Sequence, residues 1–348
     1  MDIENKDNGL NTVKARQRKS FIDIAKGIAI ISIILGHLGV NQINRVVFTF
    51  HVPLFFIITG YFINNKYSIK DFVIKKFKRL IIPYLSTSIV LISISFVVSV
   101  VLRKYTTEFN VKEIFLATLY GAGDNHNFLG YNFRAIGAIW FLLATFWGSA
   151  LIRILINFKK MVQVFGVLLL FLIGYYSAKL LWLPLSIQAG FCSVLFMYVG
   201  YLISIYFDMY KEYYYKYKKF IIIFSLIMWF QFIYNFKSFW LVHCDFGRGV
   251  IDIIGSLCAC YIIIVISKLL EIIKVSKIIE RIGKESLLIL CVHIIDLTFI
   301  PWDSIITINN MILLKQQCII LFKALGRVIF DTGFAMLLSK SKLLKKFF

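Results

Sequence analysis

The sequence predicts an all-α polytopic membrane protein with about ten transmembrane helices. Hydrophobic residues make up 59% of its 348 residues, only 16% are charged, and the mean hydropathy is +0.80. These values lie outside the usual range of soluble globular domains. A span needs about 20 apolar helical residues, because lipid offers the backbone no hydrogen-bond partner. Such stretches are predicted near 21–40, 46–64, 80–102, 138–157, 162–178, 181–206, 219–236, 250–270, 285–302 and 317–338.

The distribution of basic residues predicts the orientation of these spans. Lys and Arg outnumber Asp and Glu by 39 to 18. Most of them fall on one side of the predicted membrane, which the positive-inside rule assigns to the cytoplasm together with both termini. The predicted organisation is a basic cytoplasmic segment at 1–20, a membrane domain at 21–338 and a basic cytoplasmic tail at 339–348. The basic and aromatic tract at 211–219 is typical of an interfacial anchor, so nucleic-acid binding is disfavoured.

The first predicted span contains three polar side chains, Asp23, Lys26 and His37. Lys26 and His37 are eleven positions apart, which places them within about 20° of the same helix face and about 16 Å apart. Asp23 is close enough along the helix to pair with Lys26 and so to reduce the cost of burying it. The pattern fits a functional face and, equally well, a charged anchor at the cytoplasmic end with an interfacial histidine at the other.

The second span begins with another histidine, His51, two residues before Pro53. His37 and His51 are both predicted near the outer end of their spans. Histidine accepts a proton from a hydroxyl near neutral pH more readily than other side chains, as acyl transfer to an alcohol requires. A histidine at a membrane interface is more often structural, and the pair raises the odds of a catalytic role.

A basic cluster follows the second span and leads into Pro83; it contains Lys75, Lys76, Lys78 and Arg79. The positive-inside rule explains any such cluster. The functional alternative is a patch that binds the phosphates of a nucleotide-bearing donor such as coenzyme A.

Other polar residues within predicted spans are His293, Asp296, Asp252, Arg327 and Asp331. His293 and Asp296 are three residues apart and could orient each other. Interhelical packing or pore lining is favoured for all five over direct catalysis. His126 and His243 are predicted in outer loops, where solvation is favoured over acceptor contact. No Cys/His cluster has metal-ligand spacing, so no metal site is predicted.

Four stretches together resemble the acyltransferase-3 family of integral membrane O-acyltransferases. They are FIDIAKGIAIISIILGH at 21–37, FHVPLFFIITGYFI at 50–63, FVIKKFKRLIIPYL at 72–85 and GAIWFLLATFW at 137–147. The similarity is greater to the fucose 4-O-acetylase-like and capsule polysaccharide O-acetyltransferase subgroup. The family pattern of a basic residue, ten intervening residues and a histidine falls on Lys26 and His37. Many members have Arg at the first position, and many have Ser where this chain has Thr59.

The resemblance implies a role for each of these residues. His37 is the general base, and Lys26 binds the donor or stabilises charge. Lys75, Lys76 and Arg79 contact the phosphates of the donor. Residues expected at the acceptor site or in its support are His51, Asp23, Trp140 and Thr59. The donor is acetyl-CoA or another acyl-CoA, and no tightly bound cofactor is expected.

The function implied is transfer of an acyl group to a hydroxyl of a cell-envelope or exopolysaccharide sugar, at the bacterial inner membrane. The expected partners are acyl-CoA, a glycan or lipid-linked sugar and membrane lipids. The alternative is a polysaccharide exporter or flippase, which needs no histidine base. The sequence leaves open which sugar is the acceptor and whether the acyl group is acetyl or succinyl. It also leaves open whether an acyl-enzyme forms and what the oligomeric state is.

Overall fold

The computed structural model describes residues 19–101, 110–273, 276–302, 304–305 and 316–341. The predictions on the terminal segments, 1–20 and 339–348, fall almost entirely outside these residues. The α-helices of the described part are α1 (Ser20–Gly36), α2 (Asn41–Val47), α3 (His51–Tyr61), α4 (Ile69–Lys76), α5 (Ile82–Val101), α6 (Val111–Tyr120), α7 (Trp140–Leu155), α8 (Lys160–Leu180), α9 (Ile187–Tyr234), α10 (Val250–Leu270), α11 (Ser276–Lys284), α12 (Ser286–Phe299) and α13 (Gln316–Leu338). A π-helical turn, Phe77–Ile81, joins α4 to α5.

In the described part of the chain, six helical stretches are long and apolar enough to cross a membrane. They are Asn41–Tyr61, Ile69–Val101, Gly137–Leu155, Lys160–Leu180, Pro184–Tyr234 and Val250–Leu270. The chain is therefore an all-α membrane protein. The total of about ten spans and the orientation of the termini stay predictions, because α1 has 17 residues, α12 has 14, and α13 contains several charges.

The separate spans predicted at 181–206 and 219–236 belong to one helix, so the loop predicted between them is wrong. The tract 207–218 contains neither Gly nor Pro, and nothing in it interrupts α9. α9 is nevertheless bent. Met197 packs against Gly60 at one end of α3, and Trp229 Nε1 donates to Thr49 Oγ1 at the other end. A straight helix would put Met197 and Trp229 about 48 Å apart, whereas α3 is about 16 Å long. The two arms of α9 thus follow the two predicted spans.

Small residues allow the central helices to approach closely. A Cβ on Gly60 would lie 1.8 Å from the Met197 carbonyl oxygen, and one on Gly200 would lie 1.9 Å from that of Ile57. α1 and α11 meet in the same way, since a Cβ on Gly283 would lie 1.7 Å from the Asp23 carbonyl oxygen. Close backbone packing is the main source of helix association in lipid, where the hydrophobic effect does not act between helices. These contacts fix the position of α1, which carries His37 at its end.

A compact region between α5 and α7 covers the His37 end of α1. Its first part is an amphipathic stretch that forms α6, and the polar run that follows forms a β-ribbon of β1 (His126–Phe128) and β2 (Tyr131–Phe133). The strands are antiparallel, with His126 opposite Phe133, and positive φ values at Leu129 and Gly130 form the tight turn. Phe133 stacks on Tyr120 of α6 at 4.2 Å. Strands of three residues are too short to show the alternation that predicts a strand.

Candidate active site

His37 lies at the C-terminal end of α1 and is exposed. Its Nδ1 is 2.8 Å from the carbonyl oxygen of Ile33, one turn earlier in the helix. A carbonyl oxygen only accepts, so Nδ1 must carry the proton and donate. The neutral ring then has its lone pair on Nε2. His37 is thus held in the tautomer that a general base needs, with the basic nitrogen directed away from its own helix.

Two buried residues on other helices extend this arrangement. His293 of α12 and Asp331 of α13 both have no exposed surface, and His293 Nδ1 lies 2.8 Å from Asp331 Oδ2. The carboxylate accepts, so His293 Nδ1 carries the proton and Nε2 has the lone pair. That Nε2 is 3.3 Å from His37 Nδ1. The Nδ1–H of His37 therefore donates to two acceptors, the Ile33 carbonyl oxygen and His293 Nε2. A hydrogen-bonded chain therefore runs from Asp331 through His293 to His37.

The charges of this cluster are compensated by an arginine. Arg327 of α13 has its Nε 3.5 Å from Asp296 Oδ2, and its Nη1 is 3.4 Å from the His37 carbonyl oxygen. Trp302 Nε1 donates to the other oxygen of Asp296 at 2.6 Å. A buried carboxylate needs such partners, because an uncompensated charge in a low-dielectric site costs several kcal/mol. Arg327 and Trp302 thus face the two oxygens of Asp296, next to the His293 ring.

His293, Asp296 and Asp331 could also hold a metal ion, since one ligand atom of each lies within 4.8 Å of the others. All three groups already have partners, as His293 bonds to Asp331 and the guanidinium of Arg327 faces Asp296. A divalent cation would compete with that guanidinium for the same carboxylate. The donor set therefore fits a histidine–aspartate pair better than a metal centre, and the predicted absence of a metal stays a prediction.

His37 opens into a cavity of about 400 Å³. Trp140 lines the same cavity, so the structure brings these two predicted residues together. A larger cavity of about 890 Å³ adjoins it on the side of the β-ribbon. Four residues line both cavities, namely Asn125, Arg134, Leu297 and Thr298. The outer cavity adds Glu113, His126, Asn127, Asn132 and Phe133. Amide, carboxylate, guanidinium and aromatic groups together match a ligand rich in hydroxyl groups.

Lys26 and Asp23 form an ion pair at 2.6 Å, as their spacing predicts. Lys26 lies toward the opposite end of α1 from His37, about 16 Å away along the helix. His51 is buried, its Nδ1 bonds to the Val47 carbonyl oxygen, and it lines neither of the two cavities. Thr59 is half-buried near the far end of α3. These two residues are not brought to the His37 cavity.

The basic residues predicted to bind the donor lie on α4 and the π-helical turn, which pack against α7. Lys75 and Arg79 are exposed, and Lys76 is half-buried. Lys75 Nζ is 3.3 Å from the hydroxyl of Tyr67 and lies over that ring. They do not line the two cavities near His37. The predicted site residues are therefore divided between the cavity at the His37 end of α1 and an exposed basic surface elsewhere.

Sequence reasoning did not single out His293 and Asp331 as a functional pair. It noted His293 and Asp296 because they are three residues apart, and it favoured packing roles for all the buried polar residues. In the structure the hydrogen-bond partner of His293 is Asp331, which lies 38 residues later on another helix. The available signal was a set of ionisable residues in apolar segments, which mark functional sites in membrane proteins.

Residues 19–315 match the family model Acyl_transf_3, which describes an acyltransferase domain. The match covers most of the chain and includes α1 with His37 and α12 with His293. The chain belongs to the acyltransferase-3 family. It is accordingly a multi-pass membrane acyltransferase, as its apolar helices and its family together indicate. No curated protein and no solved structure matches it.

Proposed function

We propose that this acyltransferase-3 protein transfers an acetyl or similar acyl group from acyl-CoA to a hydroxyl of a cell-envelope or exopolysaccharide sugar. The observation that carries the proposal is the position of His37. Its Nδ1 proton is engaged by Ile33 and by the His293–Asp331 pair, and its ring lines a cavity beside Trp140 that adjoins the more polar cavity at the β-ribbon. A base of fixed tautomer facing a hydroxyl-binding cavity is the arrangement that acyl transfer to an alcohol needs.

In the reaction, His37 Nε2 takes the proton from the acceptor hydroxyl as its oxygen attacks the thioester carbonyl carbon. The tetrahedral intermediate then collapses, the C–S bond breaks, and the thiolate of coenzyme A leaves. The proton on His37 Nε2 passes to that thiolate, which restores the base. While His37 is an imidazolium, its Nδ1–H donates to His293, and the Asp331 carboxylate stabilises the added positive charge through His293.

The donor is proposed to approach from the cytoplasmic side of a bacterial inner membrane, which the chain crosses about ten times with both termini inside. Lys75, Lys76 and Arg79 would bind the phosphates of acyl-CoA, and Lys26 would attract the donor along α1. The distance of about 16 Å from Lys26 to His37 is comparable to the reach of the thioester arm of coenzyme A. The acceptor would occupy the cavities beside the β-ribbon.

The test uses membrane vesicles given acetyl-CoA labelled in the acetyl group together with envelope glycan. We expect label to reach the glycan with the wild-type protein and to fall by a factor of about 10² to 10⁴ with His37→Ala. Normal acetylation by His37→Ala would remove His37 from the mechanism. Glycan export that fails in a deletion strain, with acetylation unchanged, would favour an exporter instead. Proton NMR of glycan from that strain would identify the acceptor hydroxyl.

A further inference from the structure

A third cavity, of about 310 Å³, lies among α1, α3, α9 and α10 at the N-terminal end of α1. Its size is at the lower end of the range for small-molecule sites. Its interior is lined by hydrocarbon side chains, among them Leu54, Ile57 and Ile203. Two lysines, Lys19 and Lys268, lie at its margin. The cavity therefore combines a hydrocarbon interior with a cationic mouth.

This cavity is separate from the candidate active site. The residues that line it and the residues that line the His37 cavity have no member in common. The Cys260 thiol contacts the Phe50 carbonyl oxygen at 3.7 Å, which ties α10 to the start of α3. The pantetheine arm of coenzyme A carries two amides that need hydrogen-bond partners, whereas the tyrosine hydroxyls in this lining are already engaged, Tyr61 with Lys19 and Tyr214 with Tyr261. A hydrocarbon chain needs none, so it is the better occupant.

The two lysines at the mouth form no salt bridge within the described residues. Lys19 Nζ bonds to the hydroxyl of Tyr61 at 3.0 Å, and Lys268 Nζ lies 4.9 Å from the centre of the Phe21 ring. The carboxylate of Glu271, which interacts electrostatically with Lys268, accepts a hydrogen bond from the backbone N–H of Phe21 at 2.7 Å. Lys218 adds a further positive charge nearby. The mouth thus has an excess of positive charge that an anion would balance.

We propose that this cavity binds an anionic phospholipid, with one acyl chain inside and the phosphate between Lys19 and Lys268. Basic pockets between transmembrane helices bind anionic lipid headgroups on the cytoplasmic side of membranes. The membrane supplies this ligand, and its two parts match the two parts of the cavity. The proposal does not depend on the reaction at His37, because the two cavities share no lining residue.

The test is native mass spectrometry of the purified full-length protein with dioleoyl phosphatidylglycerol, dioleoyl phosphatidylcholine or oleic acid. We expect phosphatidylglycerol to bind more tightly than phosphatidylcholine. The double variant Lys19→Gln/Lys268→Gln should bind phosphatidylglycerol about thirtyfold more weakly, or about fivefold for each lysine. Its affinity for phosphatidylcholine should be unchanged. Lys216→Gln, an exposed lysine that does not line the cavity, is the matched control.

A second pair of variants tests the hydrocarbon interior. Ile203→Trp should fill the cavity and displace one bound lipid of either headgroup, because Ile203 lines it. Ile205→Trp is the control and should bind lipid normally. Ile205 lies on the same helix and is 44% exposed, compared with 43% for Ile203, but it does not line the cavity. The proposal is overturned if phosphatidylglycerol binding is the same in all variants. It is also overturned if oleic acid alone shows this dependence, because the ligand would then be a fatty acid.

Discussion

Asp331→Asn tests whether the buried carboxylate acts on catalysis through His293 and His37. Asparagine has nearly the same shape, so the side chain still fills its place between the helices, but it no longer carries the negative charge. In the structure Asp331 is fully buried and bonds to His293 at 2.8 Å. A buried hydrogen bond to a charged group contributes about 1.5–3 kcal/mol. If that contribution is made to the imidazolium of the transition state, kcat falls by a factor of about 10 to 150.

The effect should depend on His37. His37→Ala alone is expected to lower the rate by a factor of about 10² to 10⁴, the usual contribution of a general base. With the base removed, Asp331 has nothing to stabilise, so the double variant should be no slower than His37→Ala. Such strong non-additivity is typical of residues that act as one unit. The assay is transfer of labelled acetyl to glycan, normalised to the amount of folded protein in detergent.

A control is available in α10. Asp252 is also fully buried and pairs with a basic residue, Arg248, at 2.6 Å. Asp252→Asn should lower the melting temperature, as a disturbed buried ion pair does, but should leave the rate per folded molecule unchanged. Asp331 does not act through His37 if Asp331→Asn lowers the rate by the same factor with and without His37. It has no part in catalysis if Asp331→Asn leaves kcat unchanged.

Three further predictions concern packing, pH and the donor. Gly60→Ala should lower the free energy of unfolding by about 1–3 kcal/mol, because its Cβ would meet the backbone of α9. Gly333 has open space around it, so Gly333→Ala should be neutral or stabilising. Thermal unfolding measures both. Hydrogen bonds from Lys284 and Ser20 hold the pKa of Glu280 below its usual value. Glu280→Gln should therefore lower the free energy of unfolding by a few tenths of a kcal/mol at pH 7, and the difference should vanish as the pH falls through the folded-state pKa. Arg79→Gln should raise KM for acetyl-CoA about fivefold at constant kcat, which steady-state kinetics will show.

The local parts of the site were predictable from sequence. Lys26 and His37 lie on one helix, so the helical repeat alone relates them, and Asp23 pairs with Lys26 as the spacing of three residues predicts. The predicted span at 250–270 coincides with α10, Val250–Leu270, because its apolar run is uninterrupted. In each case the interaction or the element is set by residues close together in the chain.

The remainder depends on tertiary packing. No sequence pattern joins His293 to Asp331, because their contact arises only when α12 packs against α13. Tertiary packing also decides the surroundings of His51. The sequence predicts His51 and His37 at the same end of their spans. In the structure the Nδ1 of His51 bonds to the backbone of Val47, and the residue is buried away from the two cavities that adjoin His37. Two histidines that the sequence predicts at the same depth in the membrane therefore have different surroundings in the structure.

α13 shows why the site was hard to find by hydropathy. This helix has 23 residues, enough to cross a membrane, but it carries Lys323, Arg327 and Asp331 and is not among the six apolar candidates. Charges within a span are costly, so they persist where a function or a partner compensates them. Arg327 faces Asp296, and Asp331 bonds to His293. Two of the three charges that make α13 a poor membrane helix by composition thus contact the groups around His37. In this chain a long helix that a search for apolar stretches passes over therefore carries charged partners of the candidate base.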